Sequence, residues 1–365
     1  MAEIKEVVVI DAVRSAIGKS GRKGMEKGGQ LCQASAQDLV SAVMRGLLDR
    51  VKKKSAKFDE NEIEDVIIGC LSQIGEQGGN IGRMAALLAG IPQEASGCTV
   101  NQYCNAGLKA INFATRALKV GDGEIMLCAG VEIMSHYGMG SDIRVAYDAK
   151  LPVRMSSRMQ EAGMGVPQGV CAEMISEDEG HSREELDSFG AWSMKKAVEA
   201  DRKGWFADHI IPFEYTWEDK TYRVEKDETL RHKAADDPEG FMKDISTLPT
   251  PFKEGGRVTV GNSSLIVDGA AATLLMTREK ADQLGLEPMC RIVANASAGG
   301  APVPMLLAPI PAVEKALERA GNLSIDDMDV IEPNEAFASP CLAFANHFKY
   351  AYDDPRVNPT GGAIA

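Results

Sequence analysis

Cys104 lies in the stretch Thr99-Val-Asn-Gln-Tyr-Cys104-Asn-Ala-Gly107-Leu-Lys-Ala-Ile, between a short extended run and a helix. Leu108, Ile111, Thr115 and Leu118 recur at helical spacing, alanines fill the gaps, and Gly121 is a stop signal. The pattern predicts that Cys104 opens the helix. Free N–H groups and the helix dipole there favour a thiolate, the nucleophilic form of the side chain. A free cysteine is more often a buried packing residue, and this stretch alone favours that reading. A nucleophilic thiol needs a base and a site that stabilises an oxyanion. The candidate bases are the five histidines, His136, His181, His209, His232 and His347. None sits in a glycine-rich turn or at a predicted strand end, and His347, late in a predicted helix, is the best placed. Asn334, in Glu332-Pro-Asn334-Glu335-Ala-Phe337-Ala, directly follows a predicted strand over 328–331. Open α/β sheets bind ligands at the carboxyl ends of their strands, so its amide is placed to hold a water or a thioester oxygen. Asn334 and Glu335 equally suit capping of the helix that follows. The closing Val357-Asn-Pro-Thr-Gly361-Gly362-Ala-Ile-Ala365 reads as a close backbone approach around two glycines.

These residues need a frame. Residues 5–12 (KEVVVIDA) form a continuous β-branched run, the mark of a strand buried on both faces. A glycine- and lysine-rich loop over 14–33 leads to a helix over 36–54, with Leu39, Val43, Leu47 and Val51 as its stripe. Strands over 65–69, up to Val100 and over 124–130 alternate with helices over 81–89 and after Cys104. That alternation predicts an α/β fold with a mostly parallel sheet and helices on its faces. From about residue 135 to 255 the composition changes to many charges of both signs, with only two clear helices, at 172–179 and 183–203, the second striped by Leu186, Phe189 and Met194. Arg223, Arg231 and Lys233 cluster loosely there, matched by acidic residues, as on a solvated face. Sheet-like pattern returns over 256–280, beginning with Arg257-Val-Thr-Val. A second round then starts at Cys290. A strand, a helix over 311–320, an acidic turn and Asp329-Val-Ile331 repeat the order of the opening strand, the 36–54 helix and Phe58 to Ile67, which predicts an internal duplication.

The 365 residues exceed one ordinary core and imply two or more domains. A net charge of −13 excludes the basic face that nucleic-acid binding needs, while leaving room for a local anion pocket. Eight cysteines form no C-x-x-C pair, so zinc-ribbon and thioredoxin-type chemistry is not indicated. Their mostly apolar surroundings suit a reducing compartment. No leader-like region precedes the first strand and no apolar run approaches the roughly 20 residues of a membrane span, so a soluble cytoplasmic protein is expected.

Taken in order, VVVIDAVRSAIGK, VNQYCNAGLKAI, LCAGVEIMS, VTVGNSSLIVDGAAATLLM, PNEAFA and VNPTGGAIA resemble the thiolase family over nearly the whole chain, in its bacterial degradative, 3-ketoacyl-CoA branch. The resemblance implies a thiolase-like fold of two duplicated α/β halves in five layers, α-β-α-β-α, with an inserted loop domain. It implies an N-terminal half over 1–134 and 256–285, an acyl-CoA-binding loop domain over 135–255, and a C-terminal half over 286–365. Cys104 matches the acylated nucleophile, and Asn334 the residue that holds a water in an oxyanion hole. Phe337 matches a position near the acyl pocket, and Ser264 the serine that touches pantetheine. Met164 and Phe252 match pocket-lining positions, and Arg231 is similar to the residue near the nucleotide end of coenzyme A.

The implied reaction is thiolytic cleavage of a 3-oxoacyl-CoA by coenzyme A, as in β-oxidation, or the reverse condensation, through an acyl-cysteine. It implies no tightly bound cofactor, no metal, acyl-CoA and coenzyme A as substrates, and a homodimer or homotetramer. Three departures stand out. Asn105 follows the nucleophile where the family usually has a small residue. No histidine precedes Met164, as one often does in acetoacetyl-specific members. The Gly-His-Pro and Cys-Gly-x-Gly segments that supply the family's base and acid are not among these residues, which implies either a sequence cut short or a chain without those groups. An acetoacetyl-CoA-forming acetyl-CoA C-acetyltransferase and a non-catalytic thiolase-like or lipid-binding subunit are the alternatives. A condensing synthase or hydroxymethylglutaryl-CoA synthase is opposed by residues 334–337.

Overall fold

The structure is a computed structural model that describes residues 4–21, 25–153 and 156–365. Its strands are β1 (Val7–Arg14), β2 (Gly18–Lys19), β3 (Asp65–Gly69), β4 (Ser96–Val100), β5 (Ile125–Ile133), β6 (Phe213–Trp217), β7 (Lys220–Val224), β8 (Val267–Thr277) and β9 (Cys290–Arg291). Its helices are α1 (Ala36–Lys54), α2 (Ile81–Leu88), α3 (Ala106–Val120), α4 (Ser141–Asp148), α5 (Ser157–Glu161), α6 (Gln168–Asp178), α7 (Arg183–Arg202), α8 (Lys233–Asp236), α9 (Pro238–Ser246), α10 (Arg278–Leu284), α11 (Pro309–Arg319) and α12 (Ala338–Phe348). They fall into two compact units.

The first unit comprises 1–153, 208–229 and 266–293. Its main sheet runs β4-β3-β5-β8-β1-β9, with β2 beside β8. Consecutive residues on each strand face opposite sides, as the two-residue period of a strand requires. Val8, Val66, Leu127 and Leu274 pack under α1 and α2, on Leu39, Val43, Leu47 and Ile81. Val7, Ile67, Met126 and Leu275 pack on the other face, against Ala110, Ala114 and Leu118 of α3. The continuous apolar runs therefore reflect a sheet covered on both sides. The sheet is mixed rather than mostly parallel. β3 pairs parallel with β4 and β5, but β8 enters between β5 and β1 antiparallel to both. A doubly buried strand reads the same in either direction, so its composition carries no sign of this reversal.

The second unit comprises 154–207, 230–265 and 294–365 and is mostly helical. The capping box of Ser182 and Glu185 starts α7, and its predicted stripe of Leu186, Phe189 and Met194 is buried. Phe189 joins Val258, Phe337, Leu342 and Ile364 in one core. The expected loop domain is thus shared out: 135–153 and 208–229 pack in the first unit, and the described part of 154–207 and 230–255 in the second.

Three expected strands are missing or cut short. Arg257-Val-Thr-Val260 runs irregularly, because its N–H groups are taken by side chains. Glu173 accepts from Arg257 and Val258, and Asn262 accepts from Thr259. The strand from Cys290 stops after two residues, paired with β1. The 328–331 run is reduced to one parallel bridge, Ile331 to Val357. In these last two the β-branched composition is present but pairing is limited to two residues and to one bridge, and propensity without a longer ladder does not make a longer strand. The two acidic turns do correspond. Glu60–Glu62 and Ile325–Asp327 are both single 3₁₀ turns with side-chain caps, Asp59 on Asn61 and Ser324 with Asp327.

Candidate active site

Cys104 belongs to the first unit and six other candidate residues to the second.

After β4 the chain reverses through Asn101, Gln102 and Tyr103 before α3 begins at Ala106. The Asn105 N–H donates to the Gln102 carbonyl at 3.1 Å and the Ala106 N–H to the Tyr103 carbonyl at 2.9 Å. Cys104 therefore sits in the turn two residues before the helix rather than on its first residue. Asn105 caps the helix by position only, with no side-chain bond. Gly69 makes the arrangement compact, since a Cβ there would lie 2.3 Å from the Ala106 carbonyl carbon. Only glycine at the end of β3 lets the first turn of α3 approach so closely. Cys104 is exposed, which removes the reading as a buried packing residue. Cys32, Cys70, Cys128, Cys171 and Cys341 are buried. Burial pushes the Cys70 thiol up to about 12, with Glu132 adding to the effect, and burial likewise raises Cys128 and Cys341.

In the second unit, the loop over 259–264 is laid against the start of α12. Ser263 bridges Phe337, the Ser264 N–H donates to the Ala336 carbonyl at 2.9 Å, and the Ala338 N–H donates to the Asn262 carbonyl at 2.9 Å. Ser264 is exposed beside this join. The Phe252 ring meets Phe337 edge to face, with centroids 5.8 Å apart. A Cβ on Gly169 would lie 2.1 Å from that ring, so α6 admits Phe252 only because residue 169 is glycine. Ser264, Phe252 and Phe337 are thus brought together. Asn334 lies three residues before Phe337, exposed, and its amide makes no hydrogen bond to a described residue. Neither it nor Glu335 caps α12, whose cap position is Phe337 with no side-chain bond.

Arg231 is exposed just before α8 and makes no ion pair among the described residues, whereas Arg223 pairs with Glu225 and Lys233 with Asp244. Met164 is exposed after α5, between Gly163 and Gly165, both at positive φ. The structure shows neither Arg231 nor Met164 in contact with Ser264, Phe252 or Phe337. His347, the least unsuitable of the five histidines as a base, is held by Glu314 at 2.8 Å on an exposed surface, the surface role that the histidines were expected to have.

Sequence reasoning missed the polar groups that hold these loops. Glu335 is fully buried and accepts from Ser193 Oγ at 2.6 Å, Asn358 Nδ2 at 2.6 Å and the Ile364 N–H at 3.1 Å. Asn262, also buried, donates to Asp187 and to the Arg257 carbonyl while accepting from Thr259. The available signal was a polar residue inside an apolar run, which has to be satisfied once buried.

Comparison with known proteins adds to this geometry. Residues 7–279 match the family model "Thiolase, N-terminal domain", and 286–365 match "Thiolase, C-terminal domain". The 3-ketoacyl-CoA thiolase of Idiomarina loihiensis is 40% identical over 367 residues, covering 99% of this chain and 88% of that protein. The 3-oxoadipyl-CoA/3-oxo-5,6-dehydrosuberyl-CoA thiolase of Escherichia coli is 38% identical over 374 residues, with 99% and 88% covered. Among solved structures, the acetyl-CoA acetyltransferase of Bacillus anthracis superposes with a TM-score of 0.84 at 29% identity, covering 100% of this chain and 88% of that one.

Proposed function

This chain belongs to the thiolase family, and we propose that it cleaves a 3-oxoacyl-CoA with coenzyme A to give acetyl-CoA and a shortened acyl-CoA. The observation that carries the proposal is the exposed thiol of Cys104, in a tight turn at the mouth of a helix. Its sulfur attacks the 3-oxo carbon, the C2–C3 bond breaks, and the acyl group stays on sulfur. The departing two-carbon fragment leaves as the enolate of acetyl-CoA and takes up a proton. The coenzyme A thiolate then attacks the acyl-cysteine, releasing the shortened acyl-CoA and regenerating the Cys104 thiolate. Dividing the reaction in two replaces one hard carbon–carbon cleavage by two easier transfers.

The remaining residues take binding roles in this reading. The free Asn334 amide holds a water against the developing oxyanion, where one fixed donor is worth about 3 kcal/mol. Phe252 and Phe337 supply an apolar wall, Ser264 a polar contact to pantetheine and Met164 further apolar lining. The unpaired Arg231 faces the phosphates of the nucleotide end. Coenzyme A enters as a substrate, with no resident cofactor. The structural neighbour favours a second reading, acetoacetyl-CoA-forming acetyl transfer. Rates on acetoacetyl-CoA and on longer 3-oxoacyl-CoA esters separate the two, and the main reading expects the longer esters to be cleaved at least as well.

The family models meet between 279 and 286, which supports a boundary near 285 between N- and C-terminal halves. No described helix is long and apolar enough to cross a membrane. A cytoplasmic homo-oligomer fits this reading. Support for assembly comes from β4, which ends the main sheet and has exposed Leu87 and Leu88 on α2 and exposed Leu108 and Phe113 on α3. The test of the function is acyl transfer itself. A 3-oxoacyl-CoA should be consumed with ping-pong kinetics, and a Cys104→Ala variant should show none; turnover retained by that variant would end the proposal.

A further inference from the structure

Among the described residues, one side chain, Asn101, bonds to the backbone of the turn that presents Cys104. Its Nδ2 donates to the Leu71 carbonyl at 3.0 Å, and its Oδ1 accepts from the Tyr103 N–H at 2.8 Å. Tyr103 has φ +52°, a left-handed conformation that is costly for a bulky residue. Tyr103 is 72% exposed, so packing of its side chain does not impose that conformation. The Asx-type bond from Asn101 supplies the restraint instead.

Leu71 is itself fixed. The Glu132 carboxylate, on β5, accepts from the Leu71 N–H at 2.9 Å, the Ser72 N–H at 3.2 Å and Gln77 Nε2 at 3.0 Å. Gln77 Oε1 closes the loop by accepting from the Ile133 N–H at 2.8 Å. β3 and β5 are parallel neighbours in register from Asp65 to Gly69, so Glu132 stands beside the loop it holds. A continuous set of hydrogen bonds thus runs from β5 through Leu71 and Asn101 to the residue before the nucleophile.

We propose that Asn101 is the positioning residue of the nucleophile. It holds Tyr103 in the left-handed turn and so sets where the Cys104 thiol stands at the start of α3, with Glu132 anchoring it through Leu71. This rests on Cys104 being the acylated residue, but its test does not require turnover.

Iodoacetamide alkylation of the full 365-residue chain, read peptide by peptide by mass spectrometry across a pH series, compares Cys104 with Cys98 and Cys290. Those two are exposed thiols of the same unit and act as internal references. For Asn101→Ala the rate at Cys104 should fall by about tenfold at neutral pH, with both references within about twofold of wild type. Asn101→Ser keeps a hydroxyl able to accept from residue 103, and should recover a substantial part of the lost rate. A Cys104 rate within about twofold of wild type in both variants overturns the proposal. If Asn101→Ala does not fold, seen as reactive Cys128 and Cys171, Asn101→Ser decides. A selective loss at Cys104 of about threefold supports the proposal, and a wild-type rate refutes it. Failure of wild-type protein to turn over any 3-oxoacyl-CoA, with this selective loss intact, would count against the function and not against the positioning.

Discussion

Glu335 and Gly362 show how closely the second unit is built at single residues. The Glu335 carboxylate takes three donors, and a Cβ on Gly362 would lie 2.2 Å from its carboxyl carbon. Glu335→Ala leaves the Ser193 hydroxyl, the Asn358 amide and the Ile364 N–H unpaired, and should cost about 3 kcal/mol in urea unfolding. Gly362→Ala forces the Cβ onto the carboxylate and should cost about 2 kcal/mol, with faster proteolysis after Asn358. Wild-type stability in both variants would mean that the closing segment is not held this way. The sequence motifs pointed at this neighbourhood but not at the buried carboxylate that holds it together. Asn334 and Phe337 stand out as chemistry-bearing types, while Glu335 reads as a helix cap until the fold shows it buried. Cys104 was legible from its place between strand and helix. Asn101 was not, because its role depends on Leu71, thirty residues earlier in the loop after β3.

At the scale of elements, local signals sufficed where a helix or strand carried its own punctuation. Ser35 caps α1 and Ser55 ends it, so the predicted span of 36–54 is the observed one. The predicted strand at 65–69 is likewise β3, and Gly121 terminates α3 in a left-handed cap. Strand direction and strand length depend on partners, so the antiparallel direction of β8 and the shortness of the C-terminal runs escaped the sequence.

The segment before α1 carries a dependence on pH. His136 Nδ1 stands 2.9 Å from Glu76 Oε1, and Nε2 stands 3.0 Å from the Cys32 carbonyl. With Glu76 ionised, both partners only accept, so both nitrogens donate when the ring is a cation. The hydrogen bond to Glu76 raises the His136 pKa against the opposing effect of burial, with the charge of Asp268 adding to the rise. A raised folded value gives stability that is complete below the ordinary value of about 6.5 and is lost as pH rises through the folded value. Amide exchange in peptides covering 27–36 and 72–80, corrected for intrinsic rates, should therefore show protection falling from about pH 6 to pH 8. His136→Ala should show the weaker protection at both, and a flat wild-type profile would dismiss the clamp.

At the scale of the molecule, the ordered set of motifs was more informative than any one of them, and both family models follow that order along the chain. The compact units did not follow the predicted domain boundaries, since packing joins segments far apart in sequence. The open edge at β4 should be covered by another copy of the chain. Light scattering at micromolar concentration is expected to give a dimer or larger assembly, with Leu108→Glu shifting it toward monomer. A wild-type monomer under those conditions would contradict assembly through this edge. The central claim is narrower, that Cys104 carries the acyl group between substrates. Incubating the full chain with a 3-oxoacyl-CoA in the absence of coenzyme A and weighing its peptides tests it directly. The expected result is a gain of one shortened acyl group on the Cys104 peptide, discharged by added coenzyme A and absent from Cys104→Ala. No gain there, or a gain that persists elsewhere in that variant, would contradict the account.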